Sequence, residues 1–317
     1  MRFLGGKFIH LLAVVFAVTA LTFVMLDLLP TSIVHEIAGQ NATAGNVAAL
    51  QEQLGLNDPV LVRYGRWLAD ALQGNLGSSL VTGQPVARII AAHLPVTLEL
   101  LLLSQLFALL LAVPIGIISA WRADSKIDRL FGTIGFGLVS IPSFALAIVL
   151  IFFFSLRLKW FPATGYTALN VGVWQNLKGF VLPALSIALV EWVTLMRVLR
   201  SDMIATLQED FILLARAKGL PTRRILIRHA LQPSCFSLIT LCGLHIGNLI
   251  GGAVIIEQLF ALPGVGRLLL SSIFAQDFPM VQGCVLLIAV SYVIVNFLVD
   301  ASYGLLDPRV RKEESGG

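Results

Sequence analysis

Six apolar runs dominate this sequence and restrict what it can fold into. Each run is long enough to cross a hydrocarbon layer of about 30 Å as an α-helix. Composition agrees, because 57% of the 317 residues are hydrophobic and 13% are charged, whereas soluble domains average about 25% charged residues. The sequence therefore predicts an all-α, polytopic membrane protein with about six transmembrane helices. The runs lie at roughly 8–29, 96–120, 130–156, 180–200, 236–256 and 281–303.

The first run has a second interpretation, a cleavable signal peptide. Two basic residues precede it, and Ala17 and Ala20 have the small side chains of a cleavage site. However, the apolar run continues to Leu29, which is too long for the hydrophobic region of a cleaved signal. We therefore predict an N-terminal transmembrane helix within residues 1–29.

The distribution of Lys and Arg predicts the orientation, since segments rich in these residues stay on the cytoplasmic side. Segments on the side of the N-terminus hold 15 of the 22 Lys and Arg residues, and the opposite side holds 7. Both termini are therefore predicted to be cytoplasmic, with residues 307–317 as a cytoplasmic tail.

Residues 30–94 form a long extracytoplasmic loop in this orientation. Apolar residues from Val60 to Leu72 recur at helical spacing after a Pro start, and glycines at 74 and 77 indicate a turn. We predict a small helical loop here. Two interpretations of it stay open, a cover over the helix ends and a docking surface for an external partner.

Motifs for chemistry are missing from the sequence. It has no GxxxxGK[ST] phosphate loop, no HExxH and no GxSxG, and its five histidines are scattered. The net charge of +4 is not gathered into a nucleic-acid patch. The three cysteines, Cys235, Cys242 and Cys284, resemble small core hydrophobes. We expect no catalytic, cofactor-binding or metal-binding residue and no nucleic-acid partner.

Glycines recur every four residues in the fifth run, at Gly243, Gly247 and Gly251. This spacing removes side chains from one helix face and lets another helix approach closely. We assign these three glycines to helix packing.

Glu191 is the most unusual residue within an apolar run. It has no charged residue three or four positions away, and a lipid-facing carboxylate at mid-depth costs roughly 2.5 to 3.5 kcal/mol. We therefore predict that it faces a lumen or a partner helix. Together with His245 and Asn248 of the fifth run, it is a candidate for a translocation path. A secondary transporter working alone is the competing interpretation of such residues.

The segment 201–232 is the most informative part of the inner side. An apolar stripe predicts a helix, and Arg216 and Lys218 suit the negative end of its dipole. Gly219 can adopt the left-handed conformation that ends helices, and Pro221 cannot continue one. The stripe consists of Met203, Ile204, Leu207, Phe211, Leu214 and Ala215.

A second, basic amphipathic helix is predicted from Thr222 to Leu231. It carries Arg223 and Arg224, and it follows Gly219 so closely that the two helices form an elbow. Two interpretations of this elbow stay open, a loop lying on the membrane surface and a rigid knob that fits a groove of a cytoplasmic partner.

The elbow resembles the EAA loop of binding-protein-dependent ABC importer permeases, in the version of the dipeptide, oligopeptide and nickel permeases. The matching residues are Ala215-Arg216-Ala217-Lys218-Gly219 and Arg228-His229-Ala230-Leu231. Supporting segments span nearly the whole chain: Leu54-Gly55-Leu56-Asn57-Asp58-Pro59, Gly74-Asn75-Leu76-Gly77, Leu94-Pro95, Glu257 with Phe260, Pro263-Gly264-Val265-Gly266, Asp300 with Tyr303, and Asp307-Pro308-Arg309.

The sequence departs from the family pattern at three places. Leu213 and Leu214 stand where the EAA pattern has Glu and its first Ala. The later I-x-L-P becomes His-Ala-Leu-Gln, with the proline displaced to Pro233. The segment 29–32 lacks the Gly-Asp-Pro often seen after the first helix.

The resemblance implies the MetI-like permease architecture of ABC importers, with a transmembrane core at 95–306 in a prokaryotic inner membrane. It also implies a homologous second permease, two ATP-binding subunits and an extracytoplasmic substrate-binding protein. ATP and Mg would bind to the partner subunits and no cofactor to this chain. Peptides are the favoured substrate, and nickel complexes or glutathione-like molecules are the alternatives. The residues implied to couple to the ATPases are Ala215, Arg216, Lys218, Gly219, Pro221, Arg223 and Arg224.

Overall fold

The structure, a computed structural model, describes most of the chain. The predicted tail and the first part of the predicted outer loop lie outside the described residues. The described backbone covers residues 2–27 and 58–306, and the described side chains exclude those of 2–12, 26–27, 248–252 and 300–306.

The described residues form eleven α-helices and two π-helices. They contain no β-strand, and Ser78 and Pro85 form an isolated β-bridge. The helices are α1 (Arg2–Asp27), α2 (Val60–Leu72), α3 (Val86–Trp121), α4 (Lys126–Val139), α5 (Ser143–Leu150), π1 (Ile151–Arg157), α6 (Val173–Leu207), α7 (Asp210–Ala217), α8 (Thr222–Arg224), π2 (Ile225–Ala230), α9 (Leu231–Leu259), α10 (Val265–Phe274) and α11 (Phe278–Leu306).

Within the described residues, each of the six predicted apolar runs lies in helical structure, which confirms the all-α membrane fold. Four helices within the described residues are long and apolar enough to cross a membrane, and a bent pair counts as a fifth. The apolar part of α1, at 13–25, is a shorter helix by the same measure. The four long spans are Val86–Trp121, Val173–Leu207, Thr222–Gly247 and Phe278–Val299.

The third predicted run is not a single straight helix. Its two parts, α4 and α5 with π1, meet at an angle of 99°. Pro142 lies at the break and has extended backbone angles, φ −59° and ψ 143°. Proline has no N–H for the helical ladder and forces the residue before it out of the helical region. The prediction of one continuous span over 130–156 is therefore wrong at this point.

One compact unit is drawn from Met1–Val96 and Pro263–Val293. In it, Tyr64 of α2 packs edge-to-face between Phe16 and Phe23 of α1, with ring centroids 5.5 Å from each. Its hydroxyl lies 2.9 Å from that of Thr19. The predicted helical loop is thus a helix fixed to α1 through an aromatic cluster.

The loop after α2 is held by a buried carboxylate in the same unit. Asp277 accepts hydrogen bonds from the Ser79 hydroxyl at 2.5 Å and from the Leu80 N–H at 3.1 Å. Next to this contact, Val86 and Cys284 belong to a small apolar core. One side chain and one backbone N–H of the loop are therefore held by the same buried carboxylate.

The other compact unit is drawn from Thr97–Leu262 and Ile294–Gly317. Helix α6 lies at its centre and packs against α4, α5 and α9. Its inward side is almost wholly apolar, with Trp192, Leu195 and Leu199 buried. This unit contains the elbow and all the polar groups described next.

Candidate functional site

The elbow has the turn that its sequence predicts. Helix α7 ends at Ala217, and Gly219 has a φ of +72°. The N–H of Gly219 bonds to the carbonyl of Arg216 at 2.9 Å, and that of Leu220 bonds to the carbonyl of Ala215 at 3.2 Å. These two bonds define a Schellman motif, which satisfies the last carbonyls of the helix and reverses the chain.

The two helices of the elbow differ from the prediction. The first is separate from α6, because the chain turns at 208–209 and Glu209 is extended before α7 begins. The second is not an independent helix, because α8 continues through π2 into α9. Pro233 in the first turn of α9 cannot donate a helical hydrogen bond, and the turn before it is wound as a π-helix.

Apolar packing fixes the elbow to the end of α6. Ile212, Ile225 and Ala230 are buried in the same core as Leu199 and Met203. Because the elbow shares a close-packed core with the long helices, packing holds it in a fixed position relative to them. The elbow is therefore rigidly connected to the membrane helices of its unit.

Ala215 lies inside this core rather than on the surface of the elbow. It is 6% exposed, so its small side chain packs within the chain. The predicted apolar stripe differs from the observed one, because Phe211 and Leu214 are exposed and Ile212 is buried. A burial pattern of this kind depends on where α7 starts, which the sequence misplaced.

The outer surface of the elbow is apolar and basic. Leu213 and Leu214, the residues that replace Glu and Ala of the family pattern, are 53% and 57% exposed. The predicted coupling residues other than Ala215 are also exposed, namely Arg216, Lys218, Gly219, Pro221, Arg223 and Arg224. The Arg216 guanidinium lies over the Trp121 ring at 5.5 Å, so its position is fixed by a cation–π contact.

An ion pair that the sequence analysis missed braces the same end of the unit. Arg200 of α6 donates to both carboxylate oxygens of Asp128 in α4, at 2.7 and 2.6 Å. The Asp124 N–H bonds to the same carboxylate at 2.9 Å. Bidentate pairs of this type fix geometry as well as charge.

Glu191 of α6 and His245 of α9 are brought together in the interior of the unit. Glu191 Oε1 lies 3.9 Å from His245 Nδ1, and the two side chains are 12% and 18% exposed. That distance is too long for a hydrogen bond, and both Glu191 Oε2 and His245 Nδ1 are buried without a partner. The side chain of Asn248, the third predicted path residue, lies outside the described residues.

Further polar groups lie on α9 and on the neighbouring α3. Gln105 of α3 donates to Cys242 Sγ at 3.3 Å, and its Oε1 has no partner. Cys242 precedes His245 by one helical turn, so the spacing gave a weak signal that the sequence analysis did not use. We call the following four residues the central polar cluster: Gln105, Glu191, Cys242 and His245. Several of their polar atoms have no hydrogen-bond partner, and a polar ligand or water would satisfy them.

A second polar group lies at the end of the unit where α6 begins and α9 ends. Thr97 donates to the fully buried carboxylate of Glu257 at 2.6 Å. Asn176 donates to Glu99 at 3.3 Å and to the carbonyl of Thr167 at 2.9 Å. Of these residues, Glu257 belongs to a sequence segment quoted above, and no sequence signal joined it to the others.

Gly243, one of the three spaced glycines of α9, meets another helix. A Cβ added at Gly243 would collide with the side chain of Val299 in α11. Gly247 is buried, and Gly251 lies among the residues whose side chains and burial are not described. The close approach at Gly243 is of the kind that small-residue spacing permits.

One unit thus combines packed apolar helices, an elbow that shares their core, and a few buried polar atoms without partners. Comparison with known families identifies the class of protein. The family described as binding-protein-dependent transport system inner membrane component matches residues 112–312, and the N-terminal part of such components matches residues 1–101. The chain belongs to this family of membrane-embedded transport components.

Individual relatives match along nearly their whole length. The chain is 35% identical over 305 residues to a probable peptide ABC transporter permease of Sinorhizobium fredii, covering 96% of this chain and 97% of the relative. It is 36% identical to the oligopeptide transport system permease AppB of Bacillus subtilis, with 94% and 95% covered. It is 33% identical to the dipeptide transport system permease DppB of Alkalihalophilus pseudofirmus, with 96% and 98% covered.

Proposed function

We propose that this chain is a permease subunit of an ATP-driven importer that carries peptides across the inner membrane. The observation that carries the proposal is the rigid elbow, in a chain whose relatives over nearly their full length are named as peptide permeases. The names of these relatives favour peptides over nickel complexes and glutathione-like molecules.

The working transporter contains four further parts in this proposal. They are a second, homologous permease, two ATP-binding subunits and an external binding protein that delivers the peptide. ATP and Mg bind to the ATP-binding subunits, and this chain binds no cofactor. The exposed Leu213 and Leu214 with the surrounding basic side chains form the surface that contacts an ATP-binding subunit.

Both termini and the elbow lie in the cytoplasm in this proposal, and residues 30–94 lie outside. The support is the excess of Lys and Arg on the proposed inner side, 15 of 22. The same orientation divides the chain into four parts: an N-terminal helix (1–29), an outer loop (30–94), a core (95–306) and a tail (307–317).

Transport follows from a two-state movement of the membrane helices. ATP binding on the partner subunits moves the elbow, and the elbow carries α6 and α9 with it because all three share one core. The central polar cluster lies on α6 and α9 together with α3 and lines the translocation path. Its unsatisfied atoms give the polar backbone of a peptide hydrogen-bonding partners inside the membrane.

Affinity purification of the tagged chain from its native membranes, followed by uptake measurements in proteoliposomes, tests the proposal. We expect an ATP-binding subunit to copurify, and we expect accumulation of short peptides that needs ATP and the external binding protein. A chain that purifies without an ATP-binding subunit, or a complete transporter that accumulates no peptide, contradicts it.

A further inference from the structure

Glu99, Asn176 and Tyr166 form a group that the proposed function does not yet use. Glu99 of α3 is half-buried. Asn176, in the first turn of α6, is 1% exposed, and its amide nitrogen lies 3.3 Å from Glu99 Oε2. A buried amide therefore holds the carboxylate of a partly exposed residue.

The orientation of the Asn176 amide is fixed by its neighbours. Its nitrogen faces two acceptors, Glu99 Oε2 and the Thr167 carbonyl, and the reversed orientation would set three oxygens against one another. As a result, Asn176 Oδ1 is left as a buried acceptor without a donor. Buried carbonyl oxygens normally accept a hydrogen bond, so a hydrogen-bond donor on a ligand would satisfy this one.

Tyr166 lies next to this group, because it directly precedes Thr167, whose carbonyl oxygen accepts from the Asn176 amide. Its ring packs edge-to-face on Phe180, with centroids 6.1 Å apart. Burial and then the negative charge of Glu99 raise the pKa of the Tyr166 hydroxyl, so the phenol stays neutral. A carboxylate, a free carbonyl oxygen and an aromatic ring together favour an organic cation and disfavour an anion.

We infer that Glu99 and Asn176, beside the ring of Tyr166, bind the α-ammonium group of the transported peptide. An ammonium carries three donors and no acceptor, so it can satisfy the carboxylate and the unpaired carbonyl oxygen at once. The inference rests on the proposed peptide transport, and it assigns the free amino terminus as the recognised feature. In the proposed orientation the site lies at the extracytoplasmic end of the unit, ahead of the central polar cluster on the path inward.

The test compares peptides with and without a charged amino terminus. Alanine peptides of two to five residues, free or N-acetylated, are bound at equilibrium to the complete transporter in lipid nanodiscs without the external binding protein. Uptake of the same peptides is measured in proteoliposomes with the binding protein and ATP. The variants are Glu99→Gln, Glu99→Asp and, as a control that removes an exposed carboxylate on the proposed outer side, Asp70→Asn.

We expect the wild type to prefer free over acetylated peptides, and Glu99→Gln to reduce that preference roughly tenfold, as loss of one charged hydrogen bond predicts. Glu99→Gln keeps an oxygen for the Asn176 amide, so the local fold is retained. Glu99→Asp should keep a clear part of the preference, and Asp70→Asn all of it.

Two results overturn the inference and leave the proposed function intact. They are peptide uptake by the wild type with an amine preference that Glu99→Gln does not change, and equal loss of affinity for free and acetylated peptides in that variant. Wild-type proteoliposomes that accumulate no peptide at all contradict the proposed function itself.

Discussion

Glu191 carries an electrostatic cost within α6, because its side chain is 12% exposed and one of its carboxylate oxygens has no hydrogen-bond partner. A group so placed is retained where a ligand or a conformational change compensates it. Glu191→Gln keeps the size of the side chain and removes its charge. We expect it to lower the rate of peptide uptake several-fold while the thermal unfolding midpoint is unchanged or higher, since a buried charge is removed.

Uptake by Glu191→Gln is compared with uptake by Glu257→Gln, a second buried carboxylate, which accepts a hydrogen bond from Thr97. Because the Glu257 carboxylate accepts a hydrogen bond within the chain, Glu257→Gln should lower the unfolding midpoint more than it lowers uptake. Wild-type affinity and rate in both Glu191→Gln and Glu191→Ala would remove Glu191 from the translocation path.

At the scale of elements, the elbow depends on one backbone conformation. Gly219 has a φ of +72°, and an added Cβ there would meet no atom within 4 Å. A substitution therefore acts through conformation alone. Gly219→Val places a β-branched residue in a region that costs roughly 1–2 kcal/mol, whereas Asn tolerates that region well.

We expect Gly219→Val to insert normally in the membrane but to lose peptide-stimulated ATP hydrolysis in the assembled transporter, because the angle between α7 and α8 changes. Gly219→Asn is the matched control and should retain most of this activity. Equal activity of the two variants would show that the left-handed turn is not needed for coupling.

The surface of the same element is tested separately from its core. Leu214 is 57% exposed and Ala215 is 6% exposed, although the two are adjacent. Leu214→Glu should leave the unfolding midpoint unchanged and reduce copurification of the ATP-binding subunit. Ala215→Glu should lower the midpoint, because it buries a charge in the apolar core. Normal copurification of Leu214→Glu would place the contact surface elsewhere.

At the scale of the whole molecule, the orientation in the membrane is the first property to measure. In a chain without its three native cysteines, we expect an impermeant thiol reagent to label Asn75→Cys and Leu169→Cys from outside intact cells. Lys126→Cys should react only after permeabilisation, because its loop is on the proposed inner side. Labelling of Lys126→Cys in intact cells would reverse the orientation.

The sequence by itself determined the membrane class, the apolar runs that become helices and the turn at Gly219. These features depend on hydropathy along the chain and on the backbone preferences of Gly and Pro, and both are local. The prediction for the third run was wrong for the same reason. A count of apolar residues contains no information on the change of helix direction, 99° here, at Pro142.

Only the tertiary structure decided which side chains meet. The pairing of Glu191 with His245, of Arg200 with Asp128 and of Asn176 with Glu99 joins helices far apart in the sequence, and no spacing along one helix specifies such a contact. The burial of Ala215 has the same origin, since it depends on how α7 packs against α6 and α9. Packing between helices is a property of the folded chain as a whole, and it places the polar groups that a transported molecule would meet.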